Sequence, residues 1–160
     1  MKVRKLVETL DTKLKHEEEM VAVSLPSLKK EWNESLVGNS APDLSLKYNL
    51  AFQIVKSTSK KDKELGLMLL DEMIEVSHHT KECLYLKALC LYGMGEYEKS
   101  RNSCEALLRR DPDHKMGRDL HACIRFKIEE RNKAIGLNVT VGVFLAGVAG
   151  VAAIVFSRGR

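Results

Sequence analysis

Several motifs of catalysis and metal binding are missing from this 160-residue chain. It has no CxxC pair, no pair of histidines at helical i, i+4 spacing, no glycine-rich phosphate loop and no nucleophile motif. The sequence therefore predicts no metal site, no cofactor and no catalytic residue. The four cysteines are expected to be reduced, small buried hydrophobes. A formal net charge of +4 is too balanced for electrostatic binding of nucleic acid, so protein and membrane partners remain.

Charged residues are also missing near the C-terminus, where residues 135–156, from Ile135 to Phe156, form a continuous apolar segment. At about 1.5 Å per residue this segment gives a helix of roughly 33 Å, enough to cross a hydrocarbon core of about 30 Å. Basic residues flank it on both sides, and the tail of residues 157–160 carries Arg158 and Arg160 as targeting and headgroup-binding cations. The sequence predicts one transmembrane anchor in the lipid bilayer.

Small residues recur at steps of four within the predicted anchor, at Gly142, Ala146 and Gly150. Such a face can pair two anchors and make a homo-oligomer. A plain lipid-facing helix that tolerates small residues explains the same spacing, and both interpretations stay open.

The N-terminal residues lack a secretory signal, because no long apolar run occurs there and Glu8 and Asp11 interrupt the segment. With the hydrophobic segment at the end of the chain, insertion is expected after synthesis. The bulk of the protein is then expected in the cytosol.

Apolar residues before the anchor repeat at helical spacing, and no segment shows sustained strand alternation. The pattern of residues 1–25 predicts an amphipathic helical arm. Its single apolar stripe is formed by Val3, Leu6, Val7, Leu10 and Leu14. Residues 26–133 predict a separate helical domain, with Pro26 beginning its first helix. The predicted fold class is all-α.

A repeat of about 34 residues occurs within this domain. In the second copy, residues of the tetratricopeptide pattern stand at Ala88, Gly95, Tyr97, Ser100 and Pro112. Gly66 and Ala51 occupy equivalent positions in an earlier copy, whose turn, STSKKDK, is about three residues longer. We expect a tetratricopeptide-like bundle of two repeats with flanking helices, in which the small residues let helices approach closely.

First helices of such repeats line a concave groove. The groove positions predicted to bind a partner are Tyr48, Phe52, Val55, Lys56, Tyr85, Leu89 and Tyr92. Their aromatic side chains suit an amphipathic helix or an extended peptide. Alternatively, the rings pack against the N-terminal helix or one another. An arm lying in the groove reconciles both interpretations, and we hypothesise that residues 1–25 occlude it.

The segments LYLKALCLYGMGEYEKSR and KELGLMLLDEM, together with the glycine-rich anchor, resemble the mitochondrial fission 1 protein family. The resemblance implies an adaptor on the mitochondrial outer membrane, with its N-terminus in the cytosol, and an additional location on peroxisomes. It implies recruitment of a dynamin-related GTPase, directly or through adaptors.

A tail-anchored receptor that docks chaperones or import clients is the alternative function. Such receptors bind acidic peptides through clusters of Lys and Arg, whereas Lys56 is the one cation among the predicted groove positions. A membrane-tethered enzyme is a third class, but no acid and base pair is recognisable in the sequence.

Overall fold

The computed structural model describes residues 2–37 and 43–135 of the chain. The described residues divide into two units, with the boundary between Phe126 and Lys127. The helices of the first unit are α1 (Lys2–Leu36), α2 (Leu44–Ile54), α3 (Lys60–Glu75), α4 (Thr80–Gly93), α5 (Tyr97–Arg110) and α6 (115–126). In the second unit, residues 127–135 are helical. No strand occurs within the described ranges, and the predicted all-α class is confirmed for them.

The predicted helix start at Pro26 is wrong. Pro26 lies inside α1, which continues from Lys2 to Leu36. An internal proline removes one backbone hydrogen bond and costs about 3 kcal/mol, so a helix normally ends there. Here Val21 and Leu25 before the proline pack into the same apolar cluster as Leu28 after it. Tertiary packing on both sides of Pro26 therefore outweighs the local cost.

Helices α2 and α3 approach each other closely at Gly66. A Cβ atom on Gly66 would lie 2.6 Å from Val55 Cγ1 and 2.7 Å from Ile54 Cγ2. Ala51 is fully buried on the facing helix. The absence of a side chain at Gly66 thus sets the distance between the two helices.

The turn between α2 and α3 is shorter than the predicted STSKKDK segment. Helix α3 already begins at Lys60, because the Ser59 side chain accepts a hydrogen bond from the Asp62 backbone N–H at 3.4 Å. Lys60 and Lys61 are therefore helical residues, which the sequence pattern placed in the turn.

Helices α4 and α5 form the second pair. The turn between them requires a left-handed residue, which Gly95 supplies at φ +77°. The Ser100 hydroxyl then donates a hydrogen bond of 2.7 Å to the Ala88 carbonyl across the pair. Helix α5 ends at Arg110, immediately before Asp111 and Pro112, and Tyr97 is its first residue.

The apolar core lies among α1, α2, α3 and α4. Its members include Leu50, Ile54, Leu70, Met73 and Leu86, all of them buried. Trp32 of α1 packs against this cluster as a partly buried side chain. The C-terminal half of α1 is thus part of the core that positions the groove.

Candidate functional site: the concave groove of the repeats

A cleft of about 270 Å³ lies on the side of the repeats that the sequence predicts to be concave. Its walls come from α1, α2 and α4, with further residues after α5. Five predicted groove residues line it together: Tyr48, Phe52, Lys56, Tyr85 and Leu89. Glu82, which stands at a further groove position of the second repeat, also lines it. Side chains that the repeat pattern did not predict line it as well: Lys13, Glu17, Leu86, His114 and Met116.

The aromatic rings of the cleft form two groups, one around Tyr48 and one around Tyr85. The ring centroids of Tyr48 and Phe52 are 6.3 Å apart. The Tyr48 centroid also lies 4.9 Å from that of His79, and the Tyr85 centroid lies 5.6 Å from that of His114. Partial burial raises the pKa values of Tyr48 and Tyr85 above their usual range, so both hydroxyls remain protonated at neutral pH. These rings give the cleft a largely aromatic wall.

Lys56 also lies in this wall, and its ammonium lies close to both the Phe52 ring and the Glu17 carboxylate. Its ammonium lies 3.7 Å from the centre of the Phe52 ring, which is cation–π geometry. Desolvation lowers the pKa of Lys56, and the nearby Glu17 carboxylate partly opposes that shift. The Lys56 Nζ atom and the Glu17 Oε2 atom are 3.8 Å apart. That Oε2 atom is buried and has no hydrogen-bond partner within the described chain.

Two predicted groove residues are not available at the cleft surface. Val55 is 4% exposed and belongs to the apolar core. Tyr92 is 3% exposed, and its hydroxyl donates a 2.8 Å hydrogen bond to Asp11 of α1. Burial and this hydrogen bond raise the pKa of Tyr92 well above its usual range. Tyr92 therefore holds α1 against the repeats and does not form part of the cleft surface.

The first half of α1 lies against the repeats. Lys63 of α3 donates a 3.1 Å hydrogen bond to Glu18, and Leu14 and Glu18 line a small cleft together with Leu89 of α4. These acidic partners were missed because charged side chains in an amphipathic helix normally face water. Asp11 and Glu18 continue the spacing of four and three residues that begins at Val7. A search of the α1 stripe for acidic as well as apolar residues would therefore have found them.

A second cleft, of about 760 Å³, lies between α1 and α2 beside the first. Exposed apolar side chains of α1 form one wall, with Met20 65% and Val23 85% exposed. Phe52 of α2 and Lys56 of the following turn are shared by both clefts. The outer side of α1 thus adds apolar surface next to the groove.

No group of three or more His, Cys, Asp or Glu side chains able to hold a metal ion occurs in residues 2–37 and 43–135. The four cysteines are free and buried. Burial raises the pKa values of Cys83, Cys90 and Cys104 to about 11. Their thiols are therefore protonated and weakly nucleophilic at neutral pH.

Within the part of the chain that the structure describes, no helix is both long and apolar enough to cross a membrane. Ile135, the first residue of the predicted anchor, is the last described residue and is 55% exposed. The other residues assigned to the anchor and tail lie outside the described residues: Gly142, Ala146, Gly150, Phe156, Arg158 and Arg160.

Comparisons with known proteins agree with this architecture. The family described as the Fis1 C-terminal tetratricopeptide repeat matches residues 81–130, which cover α4, α5 and most of the following helical segment. The mitochondrial fission 1 protein of Neurospora crassa is 37% identical over 65% of this chain and 69% of its own length.

Solved structures show the same fold. The crystal structure of the fission protein Fis1 from Saccharomyces cerevisiae has a TM-score of 0.61 at 23% identity, over 70% of this chain and 86% of that one. Yeast Fis1 in complex with an Mdv1 fragment, which contains an N-terminal extension and coiled-coil domains, also gives 0.61 at 23% identity, over 68% and 85%. The tetratricopeptide-like fold is confirmed, and the chain belongs to the mitochondrial fission 1 protein family.

Proposed function

We propose that this protein is a membrane-anchored adaptor that recruits dynamin-type fission machinery to the mitochondrial outer membrane and to peroxisomes, and so promotes organelle fission. The observation that carries the proposal is the cleft lined by Tyr48, Phe52 and Tyr85 in a chain of the mitochondrial fission 1 family. Large, rigid aromatic side chains in a preformed groove are efficient contacts for a partner helix.

Recruitment follows from binding and anchoring together. Residues 135–156 hold the adaptor in the lipid bilayer as a single-pass anchor, with Arg158 and Arg160 at the headgroups. A partner bound weakly by each adaptor reaches a high effective concentration when several adaptors share one membrane. Pairing through Gly142, Ala146 and Gly150 would add to this effect. No chemical step by the adaptor is required.

A solved complex of a yeast relative with an Mdv1 fragment supports an adaptor protein as the direct partner. The dynamin-related GTPase would then be recruited through that adaptor. A chaperone-docking role is less suited to this groove, since receptors of that class bind acidic peptides through clusters of Lys and Arg, whereas Lys13 and Lys56 are the two lysines that line this cleft.

The first half of α1 regulates access to the groove in this proposal. It supplies Glu17 to one wall of the cleft and Asp11 to the buried hydroxyl of Tyr92. A partner helix therefore competes with residues 1–25 for part of the same surface. Partner binding should be stronger when α1 is released from the repeats.

The test is mitochondrial length, together with partner recruitment, in cells that lack their own fission 1 protein. The full chain should restore fission, whereas Tyr85→Ala and a chain lacking residues 135–160 should not. Met68→Ala is the matched apolar control, because Met68 lies 53% exposed on α3 and does not line the cleft. Full fission by Tyr85→Ala, with correct targeting, would contradict a groove-dependent adaptor.

A further inference from the structure

The face of α1 that docks on the repeats alternates apolar and acidic side chains. Val7, Leu14 and Val21 follow one another at seven-residue intervals, with Asp11 and Glu18 between them. The resulting steps of four, three, four and three place all five side chains along one face of a helix. Val7 and Val21 are each 5% exposed. This docking seam thus carries one carboxylate in every seven residues, where an ordinary seam is apolar throughout.

Each seam carboxylate is bound by its own donor in the repeats. The Tyr92 hydroxyl of α4 donates to Asp11 at 2.8 Å, and the Lys63 ammonium of α3 donates to Glu18 at 3.1 Å. Both donors are enclosed, because Tyr92 is 3% and Lys63 is 9% exposed. An enclosed donor that loses its acceptor pays a desolvation penalty, and the penalty is larger for a charged donor. A helix that covers Tyr92 and Lys63 must therefore place two hydrogen-bond acceptors at the separation of these two donors.

A third acidic contact of α1 is poorly satisfied. Glu17 is 3.8 Å from the Lys56 ammonium, too far for a hydrogen bond, and its Oε2 atom is buried without one. Burial of a polar atom without a hydrogen bond is unfavourable. The α1 helix is consequently an imperfect occupant of its own groove. An acidic side chain that reaches Lys56 more closely would bind there more favourably than Glu17 does.

We propose that the repeat groove is a receptor for a partner's amphipathic helix that carries two carboxylates seven residues apart within an apolar stripe. This helix replaces residues 7–19 and gives its carboxylates to Tyr92 and Lys63. The inference rests on the proposed function, since the helix belongs to the recruited protein. Carboxylates in the seam set the register of the bound helix. A neutral or basic helix is rejected, because it leaves Lys63 enclosed and unpaired.

The test uses a designed helical peptide that keeps the seam residues of the first half of α1, Val7, Asp11, Leu14 and Glu18, on a background of Ala, Gln and Lys. A control peptide has the same composition, with its two acids moved to the outer face, at the positions of Thr12 and Glu19. The receptor is the full chain in nanodiscs carrying Glu18→Lys, which places a cation against Lys63 and releases α1. Empty nanodiscs correct for binding of the peptides to lipid.

The seam peptide should bind at least about tenfold more tightly than the control peptide in fluorescence anisotropy. Adding Lys63→Met to the receptor removes the cation and gives the new lysine at position 18 no carboxylate partner, so it should lower that preference severalfold. Equal binding of the two peptides to the first receptor would overturn the inference. Circular dichroism of each receptor checks that the substitution leaves the helices folded.

Outcomes in cells separate this inference from the proposed function. If Tyr85→Ala abolishes recruitment while the two peptides bind equally, the carboxylate preference is wrong and the adaptor function stands. If the seam peptide is preferred while recruitment survives Tyr85→Ala, the carboxylate preference of the groove stands and groove-dependent recruitment, on which the proposed function relies, is wrong. Wild-type dimers that disappear with Glu18→Lys would assign the groove to α1 of a second copy, and would overturn the partner assignment.

Discussion

The two halves of α1 belong to one continuous helix but are held in different ways. Residues 2–19 dock through isolated apolar side chains and through the carboxylates of Asp11 and Glu18. Residues 21–36 contribute Val21, Leu25 and Trp32 to the apolar core. The polar contacts of the first half can be exchanged for water or for a partner, whereas the apolar contacts of the second half cannot. We therefore regard the first half as a releasable arm and the second half as a fixed part of the fold.

A polar contact also holds the second half, but it reinforces packing that already exists. Lys29 donates hydrogen bonds of 2.7 Å to both carboxylate oxygens of Asp62 at the start of α3. In the first half, the polar contacts lie within the docking seam itself. The two halves therefore differ mainly in where their charged contacts lie: beside the apolar packing in the second half, and between the apolar side chains of the docking seam in the first half.

The largest effect is expected from truncating apolar side chains in the fixed half. Leu25→Ala should lower the free energy of unfolding by about 2–4 kcal/mol, because Leu25 is 6% exposed and packs in the core. Leu14→Ala, the matched change in the releasable half, should lower it by less than about 1 kcal/mol, since local opening there precedes global unfolding. Urea denaturation of the full chain in mild detergent measures both. Equal losses would contradict the division of α1.

The next effect is expected from Tyr92→Phe, which removes the hydrogen bond to Asp11 while it keeps the ring. Hydrogen bonds to charged groups contribute about 1.5–3 kcal/mol, so amides of residues 3–19 should exchange roughly tenfold faster or more. Amides of residues 21–36 should keep their exchange rates. Tyr97→Phe on α5 is the control, since its ring lies 5.6 Å from that of Tyr92 on the same side of the second pair.

Alkaline pH should lower the free energy of unfolding of the repeats, on which the second half of α1 packs. Burial raises the pKa values of Cys83, Cys90 and Cys104 from 9.0 to about 11. As the pH rises above 9, the unfolded chain loses its thiol protons first, so it binds fewer protons than the folded chain. The stabilisation is thus complete below pH 9 and is lost between pH 9 and 11. The urea midpoint should fall in this window, and it should fall less when the three cysteines are replaced by alanine.

The smallest effect is expected at the outer surface of α1. Arg4 and Glu8 form an i, i+4 ion pair at 3.8 Å, with side chains 74% and 70% exposed. Exposed pairs of this kind contribute about 0.5 kcal/mol or less. Glu8→Gln should therefore leave both the unfolding free energy and the exchange of residues 3–19 nearly unchanged. Faster exchange in this variant would mean that charges outside the seam also hold the arm.

The sequence predicted the helices of the repeats well, because their rules are local. Gly95 marks a turn that needs a left-handed residue, and Pro112 follows the end of α5. The small side chain of Ser100 lies against the backbone of Ala88, as close helix packing requires. Such features depend on residues near one another in the sequence, so a pattern of fixed spacing can detect them.

The course of α1 could not be predicted in the same way. Pro26 satisfies the local rule for a helix start, and the helix continues through it because Leu25 and Leu28 are held by residues far along the chain. Asp11 and Glu18 carry charged side chains that normally face water, and they contact the repeats because Tyr92 and Lys63 donate hydrogen bonds to them. These two contacts join residues 81 and 45 positions apart, so no local pattern can detect them.

Hydrogen exchange across α1 of the full chain tests the division of this helix most directly. The account predicts that amides of residues 3–19 exchange through local opening, at least about tenfold faster than those of residues 21–36 once intrinsic rates are removed. It also predicts that the seam peptide speeds exchange in the first half alone, because it displaces that half from the groove. Uniform protection from Lys5 to Trp32, unchanged by the peptide, would contradict a releasable arm.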